Sequence, residues 1–169
     1  MSDLHSHVLQ VATSIQDALD AHTFGTCAVP AVLVTAGQPA ASIEACSQIA
    51  VWLQQVQDNG SQPSFGQTSG PDCISRRVAV IGVQIGICYS DPAENADIPA
   101  DAMAAEAECL NDLVDVVFCG LADAMVAGTF GECAGVTVGS FITQPRQGGW
   151  VSSVGSITVD AVCDLTPGS

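Results

Sequence analysis

Lysine is absent from this chain, and three arginines (Arg76, Arg77 and Arg146) stand against 18 acidic residues, for a formal charge of −15. A groove that grips nucleic acid needs clustered Lys and Arg to neutralise phosphates. Two adjacent arginines and one distant one do not supply it, so tight phosphate binding is excluded. An anionic membrane surface is excluded on the same ground. Without lysine there is no Walker-type phosphate lysine, no Schiff base and no lysine general base. The nucleophile motifs are missing as well: no CxxC, no QACxG-like element and no G-x-S-x-G occur. All three histidines fall in the first 22 residues. No apolar run reaches the ~18 uninterrupted residues of a transmembrane helix. The opening MSDLHSHVLQ lacks a basic region followed by an apolar one, so no secretory signal is expected there.

What is present is apolar bulk. The chain has 169 residues, 48 % of them hydrophobic, enough for one domain with a real core. Eight cysteines (27, 46, 73, 88, 109, 119, 133 and 163) admit a disulfide framework. The size of the chain, its opening residues and the placement of Cys88, Cys109 and Cys119 inside apolar runs point instead to reduced cysteines acting as small hydrophobes.

The chain is organised around Arg76–Tyr89, RRVAVIGVQIGICY. Ala79, Ile81, Val83, Ile85, Ile87 and Tyr89 share one face of an extended strand. Val78, Val80, Gly82, Gln84, Gly86 and Cys88 share the other, which has small and polar members. The unbroken apolar face needs a cover. Residues 99–127 supply a helix of ~40 Å with Pro99 near its first turn and Gly128 and Gly131 past its end. Met103, Ala107, Leu110, Val114, Val117, Leu121 and Ala124 form its apolar stripe. Glu108, Asp112, Asp115 and Asp123 line a second stripe, for which a solvated or assembly-facing surface outweighs acid–base chemistry.

Leu4, Val8, Val11, Ile15, Ala18 and Leu19 predict a helix over 3–21, with Gly25 beyond it. His5 and His7 point to different sides of that helix, which serves a shared metal poorly, and are expected to face solvent. Residues 27–35 read as a short strand, an edge strand in view of Pro30. Residues 44–57 fit either a strand or a helix, and a strand over 48–55 is favoured. Residues 58–72, DNGSQPSFGQTSGPD, form a flexible Gly/Ser/Pro loop. Asp91, Glu94 and Asp97 lack EF-hand spacing and suit the start of the following helix. The last third reads as strands over 134–144 and 150–163, joined in a hairpin spanning 141–152, with a frayed tail at 164–169. The expected fold is α/β in the α+β sense: a single domain of mostly antiparallel twisted sheet, flanked by an N-terminal helix and one long helix. No catalytic, cofactor-binding or metal-binding residue is identified.

Three stretches carry a family likeness: VAVIGVQIGICYSDP at 78–92, LNDLVDVVFCGLADAM at 110–125, and VTVGSFITQPRQGGWVSSVGSITVDA at 136–161. With the element order, they resemble the tail terminator proteins of siphoviruses that infect actinobacteria. The likeness departs from the family pattern at Ser156–Val159, where an aromatic is expected, and at Ile87, where a basic residue is frequent. It implies a phage virion structural protein and no enzyme. Such a protein forms a homo-oligomeric, commonly hexameric, ring in the tail or neck and is assembled in the host cytoplasm. The ring caps the tail tube protein, stops its polymerisation and meets the head-side connector or stopper protein. DNA would pass through an acidic lumen without tight binding, and no membrane is involved. Phe141, Arg146 and Trp150 are the candidate contacts with a neighbour, although Trp150 reads equally well as a core residue. Asp112, Asp115 and Asp123 are the candidate acidic surface. The alternatives are another neck protein (head completion or stopper), a secreted disulfide-bonded binding domain, or a small Cys-dependent enzyme.

Overall fold

The computed structural model describes residues 4–25, 27–40, 47–60, 75–88, 100–130, 134–147 and 149–162. The acidic turn at Asp91–Asp97, most of the loop at 58–72 and the tail at 164–169 lie outside the described residues, as do Cys46, Cys73, Cys133 and Cys163. In chain order the elements are α1 (Leu4–Ala21), β1 (Ala31–Val34), β2 (Gln48–Gly60), β3 (Ser75–Cys88), α2 (Ala100–Val126), β4 (Ala134–Val138), β5 (Ile142–Thr143) and β6 (Trp150–Val162). The sheet runs β1-β2-β3-β6-β4, and β5 pairs with β6 beyond the end of β4.

This is an α+β fold with a mixed sheet flanked by two helices. β3 is its centre, antiparallel to β2 on one side and to β6 on the other. The exception to the antiparallel pattern is β1, which runs parallel to β2. β1 is also shorter than expected, because Pro30 has no N–H to give a ladder and pairing starts at Ala31. There the Ala31 amide donates to the Ser47 carbonyl at 3.1 Å. β2 runs five residues past the expected end, paired with β3 as far as Gly60 opposite Ser75, with a register shift between Leu53 and Gln55. That bulge resets the alternation, which is why the periodicity of this stretch is ambiguous when read alone.

Ile81, Val83 and Ile85 face the helices, flanked by Ile49 and Val51 from β2 and by Ile157 and Val159 from β6, all fully or almost fully buried. α1 sets Val8, Val11, Ile15 and Leu19 on them, and α2 sets Leu110, Leu113, Val117 and Leu121. Each such side chain contributes on the order of 1.5–3 kcal/mol when taken out of water. The α2 stripe departs from expectation in its first half, where Met103 and Ala107 are exposed and Glu106 and Leu113 are buried. α2 ends in a Schellman turn. Gly128, at φ +73°, takes the left-handed position, the Thr129 amide reaches back to the Ala124 carbonyl, and the Gly128 amide reaches the Met125 carbonyl.

The expected single strand over 134–144 is broken. The Gly139 amide donates to the Ser156 carbonyl at 2.7 Å, an approach so close that a Cβ on Gly139 would lie 2.9 Å from that oxygen. The chain then leaves the ladder, and Phe141 folds over Gly155, whose missing side chain makes room for the ring. Phe141 is thereby packed against the main core.

Candidate functional site

The first structural fact bearing on function is covalent. Cys27, just ahead of β1, is disulfide-bonded to Cys109 of α2 across 82 residues of sequence, with Cα atoms 5.5 Å apart. Cys88, at the end of the central strand, is also disulfide-bonded. Cys119 is an exposed free thiol. The expectation of reduced cysteines, and with it assembly in a reducing host cytoplasm, is corrected by this bond, since such compartments keep thiols reduced. Cys109 sits in an apolar run, next to Leu110. It is only half-buried, though, and on the helix flank it faces the segment leading into β1. A linear reading has no access to that neighbour.

The hairpin residues are held within the chain itself. Trp150 is buried at 3 % exposure, and Phe141 is half-buried over Gly155. Arg146 donates from Nη2 to Glu106 Oε2 at 2.5 Å, pinning the turn of the hairpin to the first half of α2. The pair is monodentate: Glu106 Oε1 and Arg146 Nη1 are buried and have no hydrogen-bond partner. Glu106 was not singled out in the sequence. Its one available signal was position, because it lies four residues before Leu110 on the stripe that α2 turns inward.

Asp112, Asp115 and Asp123 are all exposed on α2. His7 is not solvent-facing as expected but buried, with Nδ1 3.0 Å from Gln10 Oε1. It shares a helix stripe with Val11, Ser14 and Ala18, at steps of four, three and four. Among the described residues no three His, Cys, Asp or Glu side chains group as metal ligands. No helix of the described residues is long and apolar enough to cross a membrane.

Two further features are geometric. The sheet face opposite the helices carries Trp52, which lies across Gly82 where any side chain would collide with the indole. Beside it are Gln84 and Ser152, buried at 2 % and 0 % exposure, with both amide atoms and the hydroxyl lacking hydrogen-bond partners. The second feature is an open groove between the helices. α1 and α2 run antiparallel and approach closely where Ala18 meets Gly120. On the Ser6 side of that crossing a cavity of about 660 Å³ is floored by Ser14, Ala18, Gly120 and Ala124, with Leu9 and Thr13 on one wall and Ala127 on the other. Asp17 and Asp123 stand at its edges, and among the described residues no basic side chain lines it. A second cavity of about 360 Å³ continues past the crossing, with Asp115 and Asp123 among its walls.

A small structural or binding protein is the class that this fold defines. No protein-family model matches the chain, and no curated protein is similar to it.

Proposed function

We propose that this chain is a disulfide-bonded binding domain that works outside the reducing cytoplasm and holds a partner without transforming it. The Cys27–Cys109 bond carries the reading. It clamps the segment before β1 to α2, so that the two-helix layer is fixed relative to the sheet edge. A rigid surface of that kind loses little freedom when a partner docks. The absence of lysine and of nucleophile motifs supports binding over catalysis.

Production in matched oxidising and reducing compartments tests the reading. Folded, soluble protein is expected from the oxidising compartment, with Cys27 and Cys109 joined. Equal yields of equally stable protein with both thiols free would overturn it.

The ring reading drawn from the sequence likeness keeps one structural support, the two sheet edges at β1 and β4 that no strand of the described residues covers, along which neighbours could pair. The disulfide weighs against it. Sedimentation velocity separates the two: a ring-sized species favours the ring, and a monomer favours the binding domain.

A further inference from the structure

We infer that the groove between α1 and α2 is a docking site for a basic amphipathic helix of a partner protein. Its floor is made of small residues, Ser14, Ala18, Gly120 and Ala124, so a third helix can lie close to the pair. Leu9, 47 % exposed on the wall, gives that helix an apolar contact. Asp17 and Asp123 stand at the edges, with no cation among the described residues lining the groove to balance them.

The charge of the chain selects the occupant. A second copy would bring another −15 against the first. Nucleic acid and anionic lipid are repelled in the same way. What complements the groove is a helix with small or aliphatic residues along one stripe and Lys or Arg flanking it, the helix-in-groove mode of recognition. The proposal deepens the binding-domain reading and rests on it.

The test titrates the full disulfide-bonded chain into a fluorescently labelled peptide of about five helical turns, with Leu and Ala on one face and Lys beside them. Fluorescence anisotropy reports binding, and a scrambled peptide of identical composition controls for bulk charge. Saturable binding of the patterned peptide is expected, with the scrambled one at least about tenfold weaker. Thr13→Trp, placed on an exposed wall residue, should fill the groove and weaken binding about tenfold or more. Ala127→Trp on the opposite wall repeats the test should the first variant misfold. Asp17→Asn with Asp123→Asn should weaken binding about fivefold at low salt. Asp101→Asn with Glu108→Gln, elsewhere on α2, should change it less than about twofold. Three results each overturn the proposal: equal binding of both peptides, equal loss from both acidic pairs, or self-association that Thr13→Trp abolishes. Any of them, obtained with Cys27–Cys109 confirmed intact, discards the groove and leaves the binding-domain reading standing.

Discussion

Replacing Gly120 with alanine tests the helix layer where α1 and α2 approach closely. A Cβ added there overlaps the Ala18 Cβ. Methyl carbons need about 3.5–4.0 Å, so the helices must part by about 1.2–1.7 Å to admit it. Beneath that crossing Ile15 and Leu19 of α1 pack with Val117 and Leu121 of α2 in the same buried cluster. A gap of ~0.5–1 Å already forfeits a quarter to a half of each dispersion contact. Overpacking of this kind costs about 3 kcal/mol at the upper end, and the better helix propensity of alanine returns about 1 kcal/mol. The net loss is about 2 kcal/mol, or a fall in Tm of about 4–8 °C for a chain of this size. The compensating change is Ala18→Gly, which alone costs about 1 kcal/mol of propensity. Combined, the two substitutions exchange the small residue between helices and restore the close approach, so the double variant should sit near the wild type. The cycle then shows a coupling of about 3 kcal/mol. Thermal and urea unfolding followed by far-UV circular dichroism measure it. A double variant whose loss equals the sum of the two singles would refute the contact.

Three further outcomes follow from the structure. Removing the bridge with Cys27→Ala and Cys109→Ala releases a loop of 82 residues, worth at most ~4.5 kcal/mol by chain entropy. That figure is a ceiling, and calorimetry should show a Tm loss of about 5–15 °C. Arg146→Leu strands the buried Glu106 carboxylate and should cost about 3 kcal/mol in urea unfolding. Glu106→Leu with Arg146→Leu should recover most of it, because a buried pair is worth little against an apolar replacement. Gly82→Ala forces the Trp52 indole off the central strand, which should shift its fluorescence and lower stability by about 1–3 kcal/mol; an unchanged emission spectrum counts against the packing.

Much of the architecture was legible because two periodicities are strong. The alternation of Ala79 through Ile87 marks β3 and the face it turns to the helices, and the three-and-four spacing of Val8, Val11, Ile15 and Leu19 marks α1. Elements went astray where a neighbour in space decides. The parallel pairing of β1 depends on where the chain returns after Thr35, which no local pattern encodes. The break between β4 and β5 depends on Phe141 finding the vacancy above Gly155. His7 and Glu106 look like surface residues by type and are buried by what packs on them. Site residues were harder still. The disulfide joins two cysteines 82 residues apart, and eight cysteines allow far too many pairings for spacing to choose among them. The groove has no sequence signature, since it consists of the space left where two helices diverge from one close crossing.

The central claim is that this chain is held by an oxidised bond and therefore works where such bonds persist. Peptide mapping of protein from its own source, with free thiols alkylated before lysis and no reductant, tests it most directly. The account predicts one species in which the Cys27 peptide is joined to the Cys109 peptide. Recovery of both peptides separately, each carrying the alkyl group, would contradict it.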